Sequence, residues 1–349
     1  MKKRILVAPL NWGLGHATRC IPIITALMQE GFVPVIASDG AALTLLRKEF
    51  PNLSSTQLPP YDVNYAKKGK NFRLRLLKDA PKILKAVKAE KKSIDAILEH
   101  NNDIAGIISD NRLGVRNKYV PSVFITHQLN VLSGNTTWLS TKMHQEIIKK
   151  YNECWVPDVE GDVNLSGRLG HVKTIDIPTK YIGPLSRFNK TNSEIKNDLM
   201  VLISGPEPQR TILEEKLLKE LKNFSGKIVF VKGIIEQEQT IQLIGSITIY
   251  NFMTSSLLEK TINESALIIS RSGYTTVMDL ARLNKKAFFI PTPGQFEQEY
   301  LASRLTEMQL VPSCNQDDFT LSKLNEVKHY LGLKSFDFEI NYKELFSLF

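Results

Sequence analysis

The sequence predicts an α/β protein built from two doubly wound halves, and three observations carry that prediction. Short apolar runs recur along the chain, each stopped by Gly, Pro, Ser or Asn and followed by a helical apolar pattern. Each half opens on such a strand–turn–helix unit. A polar stretch, Leu185 to Asp198, separates them, and the same grammar restarts beyond it. Two Rossmann-like domains are therefore expected, 1–185 and 186–349, facing each other across a cleft. The terminal helix and aromatic tail (Phe336, Phe338, Tyr342, Phe346, Phe349) are expected to pack back on the first domain.

The first strand is Arg4 to Pro9, running into the Gly-rich turn Asn11-Trp12-Gly13-Leu14-Gly15-His16 and a helix with Ile23, Ile24, Leu27 and Met28 on its apolar face. The basic-then-apolar start superficially suggests a signal peptide. Its apolar run is only six residues and ends at Asn11, so it reads as a core strand. Phe32 to Ser38 is the second strand, followed by a helix ending near Phe50. The turn lacks full GxGxxG spacing and is read as a place where backbone approaches a ligand closely. Pro59 to Gly69 is a loop, and Asn71 to Glu99 a long helix with Phe72, Leu76, Ala80, Ile83, Leu84 and Val87 on one face and lysines on the other, with a kink expected at Pro81. Strand Ile104 to Ser109 ends in Asp110, and strand Val120 to Ile125 in Thr126-His127-Gln128. A helix from about Asn135 to Tyr151, a strand Glu153 to Val156 and a last strand at Lys180 to Pro184 complete the first half.

The second half begins with strand Leu199 to Ile203, the turn Ser204-Gly205-Pro206, and a helix Arg210 to Asn223. Strands Lys227 to Val231 and Ile247 to Tyr250 follow, then a helix near Ser255 to Asn263. The most informative unit is next. The run Ala266-Leu267-Ile268-Ile269 breaks at Ser270-Arg271-Ser272-Gly273, a helix carries Val277, Leu280 and Ala281, and Ala287 to Ile290 is the next strand. That βαβ turn points backbone N–H groups and the positive end of a helix at one place, which suits a phosphate or diphosphate. Past the second strand, Gly294 to Tyr300 lies where open α/β sheets bind ligands, and Gln295, Glu297, Gln298 and Glu299 can hydrogen-bond sugar hydroxyls. Thr320 to Leu331 reads as a terminal helix.

At 349 residues the chain can bury two separate cores, and 42% hydrophobic with 23% charged residues is ordinary for a soluble globular protein. Cys20, Cys154 and Cys314 have no metal or CxxC spacing, so a reducing cytosol is the expected setting. No stretch approaches the roughly 18 apolar residues of a membrane span. The net charge of +9 is uneven: residues 1–185 hold 26 Lys/Arg against 16 Asp/Glu, residues 186–349 hold 19 against 20. Lys67 to Lys92 alone carries 11 Lys/Arg and two acids. Such a segment is read as a docking face for an anionic membrane, with a solvated surface helix as the alternative. Nucleic acid is excluded, because the basic run has few interleaved aromatics and no binding module.

Three polar strand ends and turns, His16, Asp110 and His127, should converge on one sheet edge, which is a catalytic signature. His16 at a helix start is kept neutral and able to accept a proton, making it the favoured base, with Asp110 and His127 as alternatives.

Together these stretches resemble the MurG-like group of B-fold, nucleotide-sugar-dependent glycosyltransferases, from the first strand to about Ala302. SRSGYTTVMDLA is similar to that group's diphosphate-and-ribose motif; the resemblance implies donor contacts from Ser270, Arg271, Ser272, Gly273, Tyr274 and Thr275, with Asp279 at the place of the usual ribose-binding glutamate. PTPGQFEQEY resembles the donor-sugar segment, with Gln298 matching a sugar-binding glutamine and Glu299 replacing a second, near Gln295. Phe252 and Met253 resemble the uracil position, and Gly205 a further donor-side turn. HQLN resembles a His-Glu-Gln-Asn acceptor motif with Gln128 in place of the glutamate and Asn130 kept; NWGLGHATR resembles the first Gly-rich loop, implying acceptor contacts from Gly13, Gly15 and Arg19. The resemblance implies a cytoplasmic enzyme, peripheral at the inner face of the cell membrane, transferring an N-acetylhexosamine or hexose from a UDP-sugar to a lipid-linked or cell-envelope glycan hydroxyl with inversion. No DxD occurs, so neither metal nor other cofactor is expected. A nucleotide-sugar hydrolase or epimerase on the same fold is the alternative enzyme, and a non-catalytic nucleotide-sugar binder the alternative of another class.

Overall fold

The computed structural model describes residues 2–61, 72–205, 207–334 and 338–349, with the side chains of 72–81 outside the description. The chain divides into two compact units, the first ending at Leu185 and joined by the carboxyl-terminal residues, the second running from Ser186.

In the first unit, strands β1 (Arg4–Pro9), β2 (Val33–Ser38), β3 (Ser55–Gln57), β4 (Ile104–Asp110), β5 (Ser122–Ile125), β6 (Glu153–Val156) and β7 (Thr179–Tyr181) form one sheet in the order β3-β2-β1-β4-β5-β6-β7. Every pairing is parallel. Helices α1 (Gly15–Gln29), α2 (Gly40–Glu49), α3 (Phe72–His100) and α4 (Thr137–Ile148) lie between consecutive strands along the chain. Because β1 and β4 sit side by side, a switch point in strand order falls between them, where open parallel sheets place their sites. Strands β1, β2, β4, β5 and β6 are largely buried, as a sheet covered on both faces requires.

The second unit repeats the architecture. Strands β8 (Asn197–Leu202), β9 (Ile228–Val231), β10 (Ile241–Ile244), β11 (Ile247–Tyr250), β12 (Ser265–Ser270) and β13 (Lys286–Phe289) are ordered β10-β11-β9-β8-β12-β13. Only the β10–β11 edge hairpin is antiparallel. Helices α5 (Gln209–Glu220), α6 (Ser255–Asn263) and α7 (Tyr274–Arg282) connect them, α8 (Phe296–Glu307) follows β13, and a last helix, α9 (Tyr342–Leu345), lies in the tail. Leu199, Val201, Phe230, Ile249, Ile269 and Phe288 meet Leu213, Leu217 and Phe319 in one apolar core.

Several expected elements come out differently. Strand β10 goes unforeseen although Gly245-Ser246 is a hairpin signal; Gly245 has φ +58°, which only glycine adopts cheaply. The expected helix Thr320 to Leu331 is a 3₁₀ segment, Leu321–His329. The helix expected from Asn135 begins with a 3₁₀ turn and is α-helical only from Thr137. On the described part of α3 the buried positions are Ala86, Glu90 and Ile94, whereas Leu84, expected on the apolar face, is 60% exposed. The expected roles of Phe72, Leu76, Ala80 and Pro81, most of the loop to Gly69, and Phe336 lie outside the described residues.

Candidate active site

Parallel pairing explains why distant polar residues of the first unit meet. Pro9 of β1 pairs with Asp110, the last residue of β4, and Asp110 with Ile125 of β5. The chain leaving β1 therefore starts α1 beside Asp110, and the chain leaving β5 brings His127 to the same edge. His16 Nδ1 lies 2.8 Å from Asp110 Oδ1. Arg19, one turn further along α1, is 1% exposed and joins all three. Its Nε donates to Asp110 Oδ2 at 2.5 Å and its Nη2 to Asp110 Oδ1. Its Nη1 lies 2.9 Å from His127 Nδ1 and its Nη2 2.9 Å from His16 Nδ1. Burial alone would raise the Asp110 carboxyl; the Arg19 and His16 charges outweigh it and hold it at about 2. His16 keeps 15% of its side chain exposed.

Arg19, expected at the acceptor, is the hub of the cluster, its guanidinium reaching Asp110, His127 and His16. Gly13 has φ +76° and open space where a Cβ would stand, so backbone conformation alone requires glycine there. Gln128 N donates to Thr126 Oγ1, and Asn130 Oδ1 accepts from Thr141 Oγ1 of α4, which ties this loop to that helix. His144 of α4, edge-on to Phe124 at 5.6 Å, has a buried Nε2 with no partner; burial, then the neighbouring His127, lowers it to about 4. A second buried network escapes sequence reading. Arg112 donates to Glu90 Oε1 (2.5 Å), Asp39 Oδ1 (2.6 Å) and the Pro59 carbonyl (2.6 Å), and Tyr61 donates to Glu90 Oε2 (2.6 Å). It anchors α3 and the loop after β4 just behind Asp110.

In the second unit the turn between β12 and α7 is built by the fold itself. Arg271 is corrected from a donor contact: its Nη1 donates to the Ile290 and Pro291 carbonyls and its Nη2 to the Gln209 carbonyl and Gln316 Oε1. With 1% exposure it braces the loops rather than meeting a ligand. Ser272 Oγ donates to the Gln298 carbonyl (2.7 Å), and Gln298 Oε1 accepts from Thr292 N (2.8 Å). Glu299 Oε1 accepts from Gly294 N at 2.7 Å, which spends one of its oxygens on the loop. Ser270 Oγ is buried without a partner. Gly273 caps α7 with φ −69°, and a Cβ there would meet nothing nearer than Gln298 Nε2 at 3.9 Å. The fold does not need glycine at 273. Tyr274 is buried, Thr275 half-buried, and Gln295 N donates to the Thr292 carbonyl before α8.

Asp279 sits on α7 with its Oδ1 accepting from Ser186 Oγ at 2.7 Å. Burial raises its carboxyl to about 6, with Arg187 and the Ser186 bond pulling the other way. Phe252 and Met253 are each 5% exposed, and the Phe252 carbonyl accepts from Gln239 Nε2. Gly205, φ +116°, stands in open space at the end of β8.

Residues 208–335 match the glycosyltransferase family 28 C-terminal domain. Over 336 residues the chain is 24% identical to the UDP-N-acetylglucosamine–N-acetylmuramyl-(pentapeptide) pyrophosphoryl-undecaprenol N-acetylglucosamine transferase of Pasteurella multocida, covering 93% of this chain and 88% of that enzyme. The same-named enzyme of Buchnera aphidicola is 26% identical over 60% of each chain. Among solved structures, Acinetobacter baumannii MurG aligns with TM-score 0.53 at 15% identity over 94% of this chain and 90% of its own, and the glycotransferase of kitacinnamycin with TM-score 0.65 at 11% over 94% and 90%.

Proposed function

The chain is a MurG-like glycosyltransferase of the family 28 type, and from that premise we propose that it moves an N-acetylhexosamine or hexose from a UDP-sugar to a hydroxyl of a lipid-linked or cell-envelope acceptor. The observation that carries the reading is the pairing of His16 with an ionised, buried Asp110 at the carboxyl edge of a parallel sheet. Of the candidate bases, Asp110 is held near 2 and forked by Arg19, so it accepts no proton near neutrality. His16 Nδ1–H donating to that carboxylate leaves Nε2 bare to take the acceptor's proton. The acceptor oxygen then forms its bond to the anomeric carbon as the carbon's bond to the diphosphate oxygen breaks, which inverts that centre. The leaving charge falls on the diphosphate, and the start of α7 meets it with backbone N–H groups and helix dipole. Asp279, Gln298 and the bare space at Gly273 are assigned to the donor on the same reasoning.

The reading extends to a membrane. On the described part of α3, Lys82, Lys85, Lys88, Lys91 and Lys92 are exposed while Ala86, Glu90 and Ile94 are buried. Among the described residues no helix is long and apolar enough to cross a membrane. A one-sided cationic helix of this kind docks reversibly on anionic lipid, which would bring the first unit to a lipid-linked acceptor.

Calorimetry of UDP with wild type and Gly273→Asp tests the donor assignment. An added carboxylate in the turn should weaken UDP by at least about tenfold through charge repulsion. Equal affinities would place the nucleotide elsewhere.

A further inference from the structure

We propose that Arg19 is a positioning residue that sets the two site histidines in opposite tautomers, making His127 a fixed N–H donor while His16 keeps a bare Nε2. The proposal deepens, and rests on, the reading of His16 as the base. Its starting point is that a guanidinium has only donors. A ring nitrogen that accepts a hydrogen bond from it must carry a lone pair. His127 Nδ1 is 2.9 Å from Arg19 Nη1, so that nitrogen is unprotonated and the ring's single proton sits on Nε2. Protonating Nδ1 as well would set N–H against N–H inside a site where Arg19 is 1% and His127 4% exposed. His127 therefore presents a donor where a base would present a lone pair, which removes it from the list of bases.

The same guanidinium imposes nothing equivalent on His16. There Nδ1 is within reach of Arg19 Nη2 (2.9 Å) and of Asp110 Oδ1 (2.8 Å). Only the carboxylate can accept, and an N–H bond to an ionised oxygen is the stronger kind. Arg19 Nη2 meanwhile donates to that same Oδ1, so the carboxylate, not the imidazole, takes its hydrogen. One Arg–Asp fork thus faces one imidazole with its cation and the other with its anion. Its two ends dictate opposite proton placements. Sequence spacing puts Arg19 one turn from His16 on α1, which lets a single helix carry both members.

The decisive experiment is two-bond ¹H–¹⁵N correlation of the full chain labelled in its histidine rings, near pH 7.5. His127 is expected as the Nε2–H tautomer and His16 as the Nδ1–H tautomer, assigned by His127→Gln and His16→Gln. The same tautomer at both positions overturns the proposal. A second measurement reads function. Arg19→Met leaves the Asp110 charge uncompensated beside His16, which favours the imidazolium, so the acid limb of the kcat/KM–pH profile should move up by about half a pH unit or more. A merely structural role lowers the rate at every pH without moving the limb. Should Arg19→Met not fold, the His127 pair decides. Gln places its amide near Nε2 and should keep activity within about tenfold, whereas Asn, whose amide lies near Nδ1, should lose about a hundredfold; the reverse order overturns the proposal. The two readings fail separately. Opposite tautomers with an unaffected His16→Ala rate would sink the base assignment alone, and identical tautomers with a disabled His16→Ala would sink only this inference.

Discussion

Burial lifts the Asp279 carboxyl from 3.8 to about 6, against partial relief from Arg187 and the Ser186 hydroxyl. A group whose folded pKa is raised binds its proton more tightly in the folded state, so stability falls as pH rises from about 4 to above 6. The full cost of the ionised, buried carboxylate is on the order of 3 kcal/mol above that window. Asp279→Asn should therefore unfold at higher urea than wild type at pH 8, unfold alike at pH 4, and bind UDP more weakly. Equal midpoints at pH 8 would contradict the burial argument. Asp110 has the opposite sign: held near 2, it contributes stability above its ordinary value that is lost as pH falls towards 2. His16, Asp110 and His127 are legible in the sequence as polar residues at strand ends, since every strand of a parallel sheet delivers its carboxyl end to one edge. Arg19 and Arg271 are not. Whether an arginine beside a motif faces a ligand or the interior depends on which carbonyls and carboxylates the packed loops bring to it.

Helix α3 shows what periodicity alone misreads. Its lysines and apolar positions announce an amphipathic helix, and a helix spans Phe72–His100. Its described inner face nonetheless turns on an acid: Glu90 is fully buried and held by Arg112, Tyr61 and Gly114 N. Burial raises its carboxyl, and those partners offset only part of the rise. A lone glutamate among eleven basic residues reads as a surface charge until the arginine of another loop is found opposite it. Removing it takes one of two carboxylates from buried Arg112 and the acceptor from Tyr61 Oη and Gly114 N, so Glu90→Ala should cost about 3 kcal/mol in urea unfolding. Glu90→Gln, whose single amide oxygen keeps an acceptor on one side of this network, should cost less. A neutral Glu90→Ala would mean that this network does not hold the helix. The β10–β11 hairpin marks the complementary limit, since four exposed residues at a sheet edge leave no burial pattern for a period-two reading to find.

At the scale of the molecule, the two-part α/β architecture is legible because strand–turn–helix repeats survive any detail of packing. The neighbours of the tail are not, because an aromatic cluster states that it must be buried without saying against which residues. Phe346 and Phe349 pack near Trp155, with ring centroids 6.1 and 6.2 Å away, and a Cβ on Gly106 would strike the Phe349 ring. Residues about 190 or more apart in the sequence thus complete one core. Charge is also a whole-molecule property, with the basic excess confined to residues 1–185. Docking through that excess predicts flotation with anionic but not neutral vesicles at low salt, and release near 1 M salt, where the Debye length is about 3 Å. Indifference to lipid charge would return α3 to the role of a solvated helix.

The central claim, transfer from a UDP-sugar with His16 as base, is tested most directly by UDP release from UDP-N-acetylglucosamine with an undecaprenyl-diphosphate-linked sugar as acceptor. The assay is run with EDTA present, for wild type and His16→Ala, beside the UDP dissociation constant of each. The account predicts acceptor-dependent release by wild type, a fall of about 10²–10⁴-fold in the variant, and UDP binding unchanged within about threefold. Equal rates in the two proteins, or release by wild type that ignores the acceptor, would contradict it.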